Sequence, residues 1–180
     1  MDRSSVSHES ATLASVTIEA LAPEYFDQVA RWLSDPRINA WLSSEWRNRA
    51  IDKALIAVVV RNTRNQLFLV RSRQQPCGFV ALSDIDAVDG IAMVWYGLGE
   101  QALGGQGITS EAVRQLTQYA FSKRGLQSLY AWTMANNGSS GRVLVNAGFR
   151  HAGRLRNAAS SQGRPVDRIY YDLIAADSRP

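Results

Sequence analysis

Hydrophobic positions along the chain follow two spacings, one typical of strands and the other of helices. Val16–Ala20 alternates apolar and polar residues, which predicts a first strand. Tyr25, Val29 and Trp32 then recur at helical spacing and predict a first helix. The run 51–60 leaves both alternatives open, since its length favours a helix and its β-branched end favours a strand.

The same reasoning gives the order of the remaining elements. Helices come first, a meander of strands follows, and strands then alternate with helices. Turns over 87–90 and 160–164 each join two strands. This order predicts an α/β fold with a mixed, mainly antiparallel central sheet flanked by helices. The predicted strands are 16–20, 67–70, 78–82, 91–98, 129–134, 149–155 and 168–174, and the predicted helices are 23–34, 38–42, 108–121 and 139–147.

Length and composition indicate one soluble globular domain. The chain has 180 residues, of which 46% are hydrophobic, and a mean hydropathy of −0.19. We predict a single domain over 15–176 after a flexible polar tail over 1–14. No apolar run is long enough to span a bilayer, and the first residues lack a signal-peptide pattern. The single Cys77 excludes an internal disulfide, so we expect a cytoplasmic protein.

The charge pattern narrows the range of partners. The net charge is +4 and the pI is about 9.6, but the arginines are scattered and are not interleaved with aromatic residues. The densest group, over 61–73, is predicted to be a solvated face. Two histidines and one cysteine provide no metal-ligand cluster. We therefore expect no nucleic acid, membrane or metal partner, while an anionic small molecule would benefit from the basic field.

A glycine-rich turn over 104–107 lies between the predicted strand 91–98 and the predicted helix 108–121. Glycine permits positive φ and close approach of the backbone to a ligand. The first amides of a helix have no partner within the helix and carry the positive end of its dipole. Such a turn suits a phosphate or pyrophosphate, but an ordinary strand-to-helix turn has the same residues, so both interpretations remain open.

A second segment, 137–149, follows the predicted strand 129–134. An ordinary helix explains most of it, with Asn137 as the N-cap, Leu144 in the core and Gly148 after the last turn. Taken alone, the segment favours that interpretation.

Together and in this order, the two segments resemble the GNAT superfamily of acyl-CoA-dependent N-acyltransferases. The closest branch is that of ribosomal-protein, spermidine and amino-sugar N-acetyltransferases. Its glycine turn reads Gly-Lys/Gln-Gly-hydrophobic-Ala/Gly-Thr/Ser-Glu-Ala, matched by 105–112, and its second motif reads Asn-x-x-Ser, a helix and Gly-Phe, matched by 137–149. The resemblance covers about 16–175. Three flanking segments are also similar to the family, namely 32–39, 78–86 and 163–173.

The resemblance implies an acetyl-CoA site at which the central sheet splays open. The pyrophosphate would lie on the amides of 104–110, and the pantetheine arm would pair with the backbone of 96–98 as an added strand. Asn137 would hydrogen-bond the arm, and Ser140 would orient the thiolate leaving group or give it a proton. The implied cosubstrate-binding residues are Tyr96, Gly97, Leu98, Gly104, Gly105, Gln106, Gly107, Ile108, Thr109, Ser110, Asn137 and Ser140.

The chain departs from the family at positions that matter for catalysis. Met93 stands where many relatives carry a glutamate base, and Leu144 stands where many carry a tyrosine acid. Gly104 and Thr109 also depart from the usual residues of the glycine turn, which the amides tolerate. Asp84, at the end of its strand, is the predicted base, with Asp86 and Glu100 as the less favoured alternatives. Ser140 is the other predicted catalytic residue.

The implied reaction is direct attack of a primary amine on acetyl-CoA. The acceptor would be a small-molecule amine, such as an amino sugar or an amino acid, or a protein N-terminus. The missing glutamate and tyrosine favour an alternative, a module that binds acyl-CoA without turnover. We expect a monomer or a homodimer.

Overall fold

The computed structural model describes residues 15–47 and 49–178, so the predicted tail over 1–14 lies outside the described residues. Seven strands of the described chain form one sheet in the order β1-β2-β3-β4-β5-β7-β6. Every neighbouring pair is antiparallel except β4 with β5, which is parallel. This confirms the predicted mixed, mainly antiparallel sheet. The strands are β1 (Val16–Ala20), β2 (Gln66–Ser72), β3 (Gln75–Asp86), β4 (Ile91–Leu98), β5 (Ser128–Met134), β6 (Arg150–Ser161) and β7 (Arg164–Ile174).

The helices of the described chain flank this sheet, as predicted. Within those ranges, no helix combines the length and the apolar character that crossing a membrane requires. A 3₁₀ turn, Pro23–Tyr25, precedes the first helix, and another, Ala175–Ser178, follows β7. The helices are α1 (Phe26–Ser34), α2 (Pro36–Asn39), α3 (Ser44–Arg47), α4 (Lys53–Arg61), α5 (Ile108–Arg124) and α6 (Gly138–Asn146).

Two of these helices were not fixed by the sequence pattern, and α2 begins two residues earlier and ends three residues earlier than the predicted 38–42. α4 settles the ambiguous run as a helix, because the Asp52 carboxylate caps it by accepting a hydrogen bond from the Leu55 amide at 2.9 Å. α3 was not predicted, since a single turn of four residues is too short to show a hydrophobic period.

A separate hydrophobic core lies on each face of the sheet. Alternate residues of a strand point to opposite faces, so Phe79 of β3 packs with Leu33 and Ile56 in one core, while Val80 packs with Leu116 in the other. Helices α1 and α4 cover the first face, and α5 and α6 cover the second. Residues of β4 are distributed between the two faces in the same way.

The sheet opens at its centre, between β4 and β5. These two strands pair only over three positions, the last being Met93 with Tyr130. Beyond that point β4 stays paired with β3 as far as Leu98, and β5 stays paired with β7 as far as Met134. The facing edges of β4 and β5 therefore separate, which confirms the predicted splay.

Helices α5 and α6 both begin beside the open end of this gap, because each follows one of the two diverging strands. Gly107 precedes α5 with φ 78° and Gly125 ends it with φ 67°, both in the left-handed region that favours glycine. The carboxyl ends of two parallel strands and two helix N-termini thus converge, an arrangement that commonly holds ligands in α/β proteins.

Candidate active site

A cleft of about 690 Å³ extends through the sheet at the gap between β4 and β5. It contacts Met93 and Trp95 of β4 together with Val94 and Tyr96. Because these alternate residues point to opposite faces, a cleft that contacts all four must cross from one face of the sheet to the other.

The two ends of the cleft differ in character. We call the end beside Gly104, Gly105 and the first residues of α5 and α6 the helix half. We call the opposite end the indole half, because four tryptophans line it, namely Trp41, Trp46, Trp95 and Trp132. The gap between β4 and β5 joins the two halves.

The helix half has the features of an anion site. Gly107 begins α5 without a side-chain cap, and the first helical hydrogen bond runs from the Glu111 amide to the Gly107 carbonyl at 3.0 Å. The amides of 108–110 therefore have no acceptor within the helix. A Cβ atom added at Gly105 would meet no atom within 4 Å, so there is room beside the turn for a bound group.

Asn137 caps α6. Its side-chain oxygen accepts a hydrogen bond from the Ser140 amide at 3.2 Å and another from the Ser139 hydroxyl at 2.9 Å. Since Asn137 also lines the cleft, the capping and ligand-binding interpretations are compatible. Capping uses the carbonyl oxygen of the side chain, and the amide nitrogen is a separate donor.

The Ser140 side chain lies beside the Tyr96 hydroxyl. The Tyr96 hydroxyl is 2.9 Å from Ser140 Oγ and 2.9 Å from the Ser140 carbonyl oxygen. Burial raises the pKa of Tyr96, so the phenol stays protonated at neutral pH. The sequence had pointed only to the Tyr96 backbone, since nothing in the pattern relates two residues on different elements 44 positions apart.

Most of the sequence-predicted site residues meet in this cleft. Four of them lie outside the lining of the cleft, in the glycine turn or the first turn of α5, namely Gln106, Gly107, Ile108 and Ser110. The side chains of Ile108 and Ser110 are buried. Those that line the cleft are Asp84, Tyr96, Gly97, Leu98, Gly104, Gly105, Thr109, Asn137 and Ser140.

Asp84 is the predicted base, and its position is unusual. It lies at an irregularity in the pairing of β3 with β4, has φ 51°, is exposed and lines the cleft beside Met93. Burial, and next the charge of Asp84, raise the pKa of nearby Tyr130. Asp86 has a different task, since its carboxylate accepts hydrogen bonds from the Val88 and Asp89 amides and so shapes the turn.

Three of the four indoles are held by contacts between distant elements. Trp46 of α3 lies 5.2 Å from Trp95, centroid to centroid, and the Arg168 guanidinium lies 4.1 Å above the Trp132 ring. Arg47 donates a hydrogen bond of 2.8 Å to the Ser160 carbonyl, which joins α3 to the tip of the β6–β7 hairpin. The unpredicted helix α3 therefore forms one wall of the indole half.

Charges in the lining are close to balanced. Arg37 forms a two-point ion pair with Asp35 and lowers the pKa of that carboxyl to about 2, so its charge is already neutralised. Two acids and two arginines remain in the lining, namely Glu45, Asp84, Arg49 and Arg64. Within 15–47 and 49–178, no group of three or more acidic, histidine or cysteine side chains is arranged to hold a metal ion.

The basic group over 61–73 is less uniform than the predicted solvated face. Arg64 lines the cleft. Arg71 is only 20% exposed and donates hydrogen bonds to Glu19 at 2.8 Å and to the Tyr25 hydroxyl at 2.7 Å. The prediction was wrong for Arg71, because charge spacing alone does not reveal the partners that β1 and the 3₁₀ turn bring near it.

A comparison with known protein families identifies the class of this protein. Residues 15–150 match the family described as acetyltransferase (GNAT) domain. The chain therefore belongs to the GNAT acetyltransferase family, as its motifs predicted, and it is an acyltransferase by class.

Individual relatives agree with this assignment. An uncharacterized N-acetyltransferase of Bacillus licheniformis is 24% identical over 165 residues, which are 88% of this chain and 92% of the relative. A spermidine N-acetyltransferase from Vibrio cholerae, solved with CoA and spermine, has a TM-score of 0.78 at 16% identity and covers 91% of this chain and 97% of its own. A ribosomal L7/L12 α-N-protein acetyltransferase solved with coenzyme A has a TM-score of 0.75 at 16% identity, covering 91% and 96%. The structural likenesses show the fold.

Proposed function

We propose that this protein transfers the acetyl group of acetyl-CoA to a primary amine. The observation that carries the proposal is the cleft through the sheet, which joins the uncapped start of α5 to a separate indole-lined end. Two substrates that enter from opposite faces can therefore meet in the gap between β4 and β5. Family membership and the relatives solved with CoA support the choice of acetyl donor.

The helix half would hold the cosubstrate. The pyrophosphate would accept hydrogen bonds from amides of 104–110, at the positive end of the α5 dipole. The unpaired edge of β4 over 96–98 would hydrogen-bond the pantetheine arm as an added strand would. The Asn137 side-chain N–H would donate to an amide carbonyl of that arm.

The acetyl transfer needs one proton removed and one leaving group stabilised. The amine nitrogen attacks the acetyl carbonyl carbon, the C–N bond forms, and the C–S bond breaks. Asp84 would take the proton of the attacking amine through a bridging water, because it lines the cleft where Met93 offers no carboxylate. Ser140 would donate a hydrogen bond to the departing thiolate, which is then protonated to free CoA.

The acceptor would bind in the indole half. Its balanced charges offer no excess of carboxylates for a polyamine, whose several ammonium groups need acidic partners. Its four indoles instead favour one amino group on a molecule with a planar or apolar face, as in an amino sugar, an amino acid or a protein N-terminus with such a side chain. We place this reaction in the cytoplasm, which suits a chain whose single cysteine is a buried free thiol.

A thiol-release assay tests the proposal directly. The purified full chain is mixed with acetyl-CoA and a panel of aromatic amino acids, amino sugars, peptides with free N-termini and spermidine, and the product mass is checked. We expect CoA release with at least one monoamine and slower release with spermidine. The same amines with their nitrogen already acetylated serve as the blank.

The competing candidate is a module that binds acyl-CoA without turnover. Met93 favours it, because this residue lines the cleft and offers no carboxylate to act as a base. Calorimetric binding of CoA without thiol release from any amine of the panel would establish that candidate. Absence of both binding and release would contradict both candidates.

A further inference from the structure

We propose that Tyr96 is a positioning residue for departure of the thiolate, and that its hydroxyl sets the direction in which the Ser140 hydroxyl donates. The inference rests on the proposed function and adds a part to its mechanism. The geometry that carries it is the contact of one phenol with two oxygen atoms of the same serine, inside the cleft.

A tyrosine hydroxyl has a single proton, so it can donate to only one of these oxygens at a time. When Tyr96 donates to the Ser140 carbonyl oxygen, the Ser140 hydroxyl is left to donate to the phenol oxygen. When Tyr96 donates to Ser140 Oγ, the Ser140 proton is free to point into the cleft. Both arrangements fit the observed distances of 2.9 Å.

The second arrangement is the one that suits a leaving thiolate. Negative charge that develops on sulfur attracts the Ser140 proton, and the Tyr96 proton then turns to Oγ. Tyr96 and Ser140 thus form a short chain of donors in which each hydrogen bond polarises the next. Only O–H rotations are required, so no tyrosinate forms and no other co-reactant is needed.

The surroundings of Tyr96 keep it in this role. Burial raises the pKa of the phenol, so it remains a donor across the working range of pH. Among the described lining residues, Tyr96 is the only tyrosine. Leu144 of α6 is fully buried in the core, so α6 does not present an acid there. Instead, the Tyr96 phenol on β4 places a hydroxyl group beside the first turn of α6.

A purely structural role is the alternative, since the Tyr96 hydroxyl also anchors the first turn of α6 through the Ser140 carbonyl. Tyr171 provides a matched control for that role. Its hydroxyl approaches the same turn, because a Cβ atom added at Gly141 would lie 2.8 Å from it, yet Tyr171 is not part of the cleft lining.

The test is a double-mutant cycle in the full chain. We expect Tyr96→Phe to lower kcat about 10-fold while the KM for acetyl-CoA changes less than about twofold. Tyr96→Phe should have no further effect in a Ser140→Ala background. Ser140→Thr, which retains a hydroxyl, should keep most of the turnover and remain sensitive to Tyr96→Phe. Tyr171→Phe should leave kcat unchanged.

Several outcomes would overturn the inference. One is full turnover by a folded Tyr96→Phe variant, and another is an equal loss in the presence and absence of the Ser140 hydroxyl. A loss of turnover that Tyr171→Phe shares would assign Tyr96 to anchoring α6.

If Tyr96→Phe does not fold, the Ser140→Thr and Ser140→Ala pair decides, since equal turnover by these two would contradict any role for the Ser140 hydroxyl. If the parent chain releases no thiol, the proposed function itself fails, and this inference fails with it.

Discussion

Asp84 has a backbone conformation that few residues other than glycine adopt. Its φ of 51° lies in the left-handed region, where aspartate and asparagine are tolerated better than most residues. It lies at an irregularity of β3, a kind of feature that redirects a side chain away from the regular alternation of a strand. This explains how the exposed Asp84 side chain comes to line the cleft.

Replacement of Asp84 by asparagine tests its role as the base. Asparagine keeps both the size and the tolerance of positive φ, so the turn should persist while the proton acceptor is lost. We expect kcat/KM for the amine to fall about 10- to 100-fold at every pH. It should still rise toward alkaline pH in parent and variant alike, because the attacking ammonium must first lose its proton.

Asp86→Asn is the matched control for this measurement. The new amide side chain retains an oxygen that can accept from the Val88 and Asp89 amides, and residue 86 is outside the cleft lining. We expect parental kcat/KM from this variant. An Asp84→Asn variant that keeps both the parental kcat/KM and the parental pH profile would show that the amine loses its proton to solvent.

The sequence predicted single residues well where their contacts lie within a few positions along the chain, and poorly where the contacts join distant elements. Asn137 and Ser140 were identified because their spacing is part of a local motif, and the structure shows Asn137 capping the helix as the pattern predicted. The contact of Tyr96 with Ser140 depends on how β4 and α6 meet across the gap, which no spacing encodes. The partners of Arg71 were missed for the same reason.

Among the elements, α5 combines a structural and a proposed binding role at one end. Gly107 gives the chain a left-handed residue at the start of the helix, and the amides of 108–110 follow without acceptors in the helix. At the opposite end, Gly125 has nearly the same φ but lies after the last turn, far along the helix from the amides of 108–110. The two glycines are therefore a natural pair for comparison.

We expect Gly107→Val to raise the Kd for CoA at least about 10-fold, as measured by calorimetry. A β-branched residue in the left-handed region should also lower the stability by about 1–2 kcal/mol. Gly125→Val should cause a similar loss of stability and leave the Kd for CoA unchanged. Equal Kd values for the two folded variants would argue against phosphate binding at this turn.

Among the helices, the prediction was best where both ends carry a strong sequence signal. α5 was placed nearly in full because glycines bracket it and basic residues precede its end. The run that became α4 was ambiguous, since its length and its β-branched end favour different states. The helix is capped by Asp52 and packs through the buried Ile56. α3 left no periodic signal, so the wall that carries Trp46 could not be predicted.

For the whole molecule, the gap in the sheet is the feature that allows two substrates to meet. The order of the elements predicted a mixed sheet, and the resemblance to the family implied the splay. From the sequence alone the tryptophans could either pack in the core or line a cleft. The structure brings four of them to the indole half from a loop, a helix and two strands, namely Trp41, Trp46, Trp95 and Trp132. An apolar residue can line a cleft or fill a core, and the packing of the helices on the sheet decides which.

The charge of the whole molecule gives a last prediction. The chain carries a net charge of +4, and the start of α5 adds unpaired amides, so both should attract the phosphates of acetyl-CoA. Raising NaCl from about 50 mM to about 500 mM shortens the screening length from about 14 Å to about 4 Å. We expect the KM for acetyl-CoA to rise about 3- to 10-fold over this range while kcat stays nearly constant. Acetyl-pantetheine, which lacks phosphates, should have a higher KM that does not respond to salt. A KM that rises equally for both donors would show that salt acts on the protein or on the acceptor half rather than on phosphate binding.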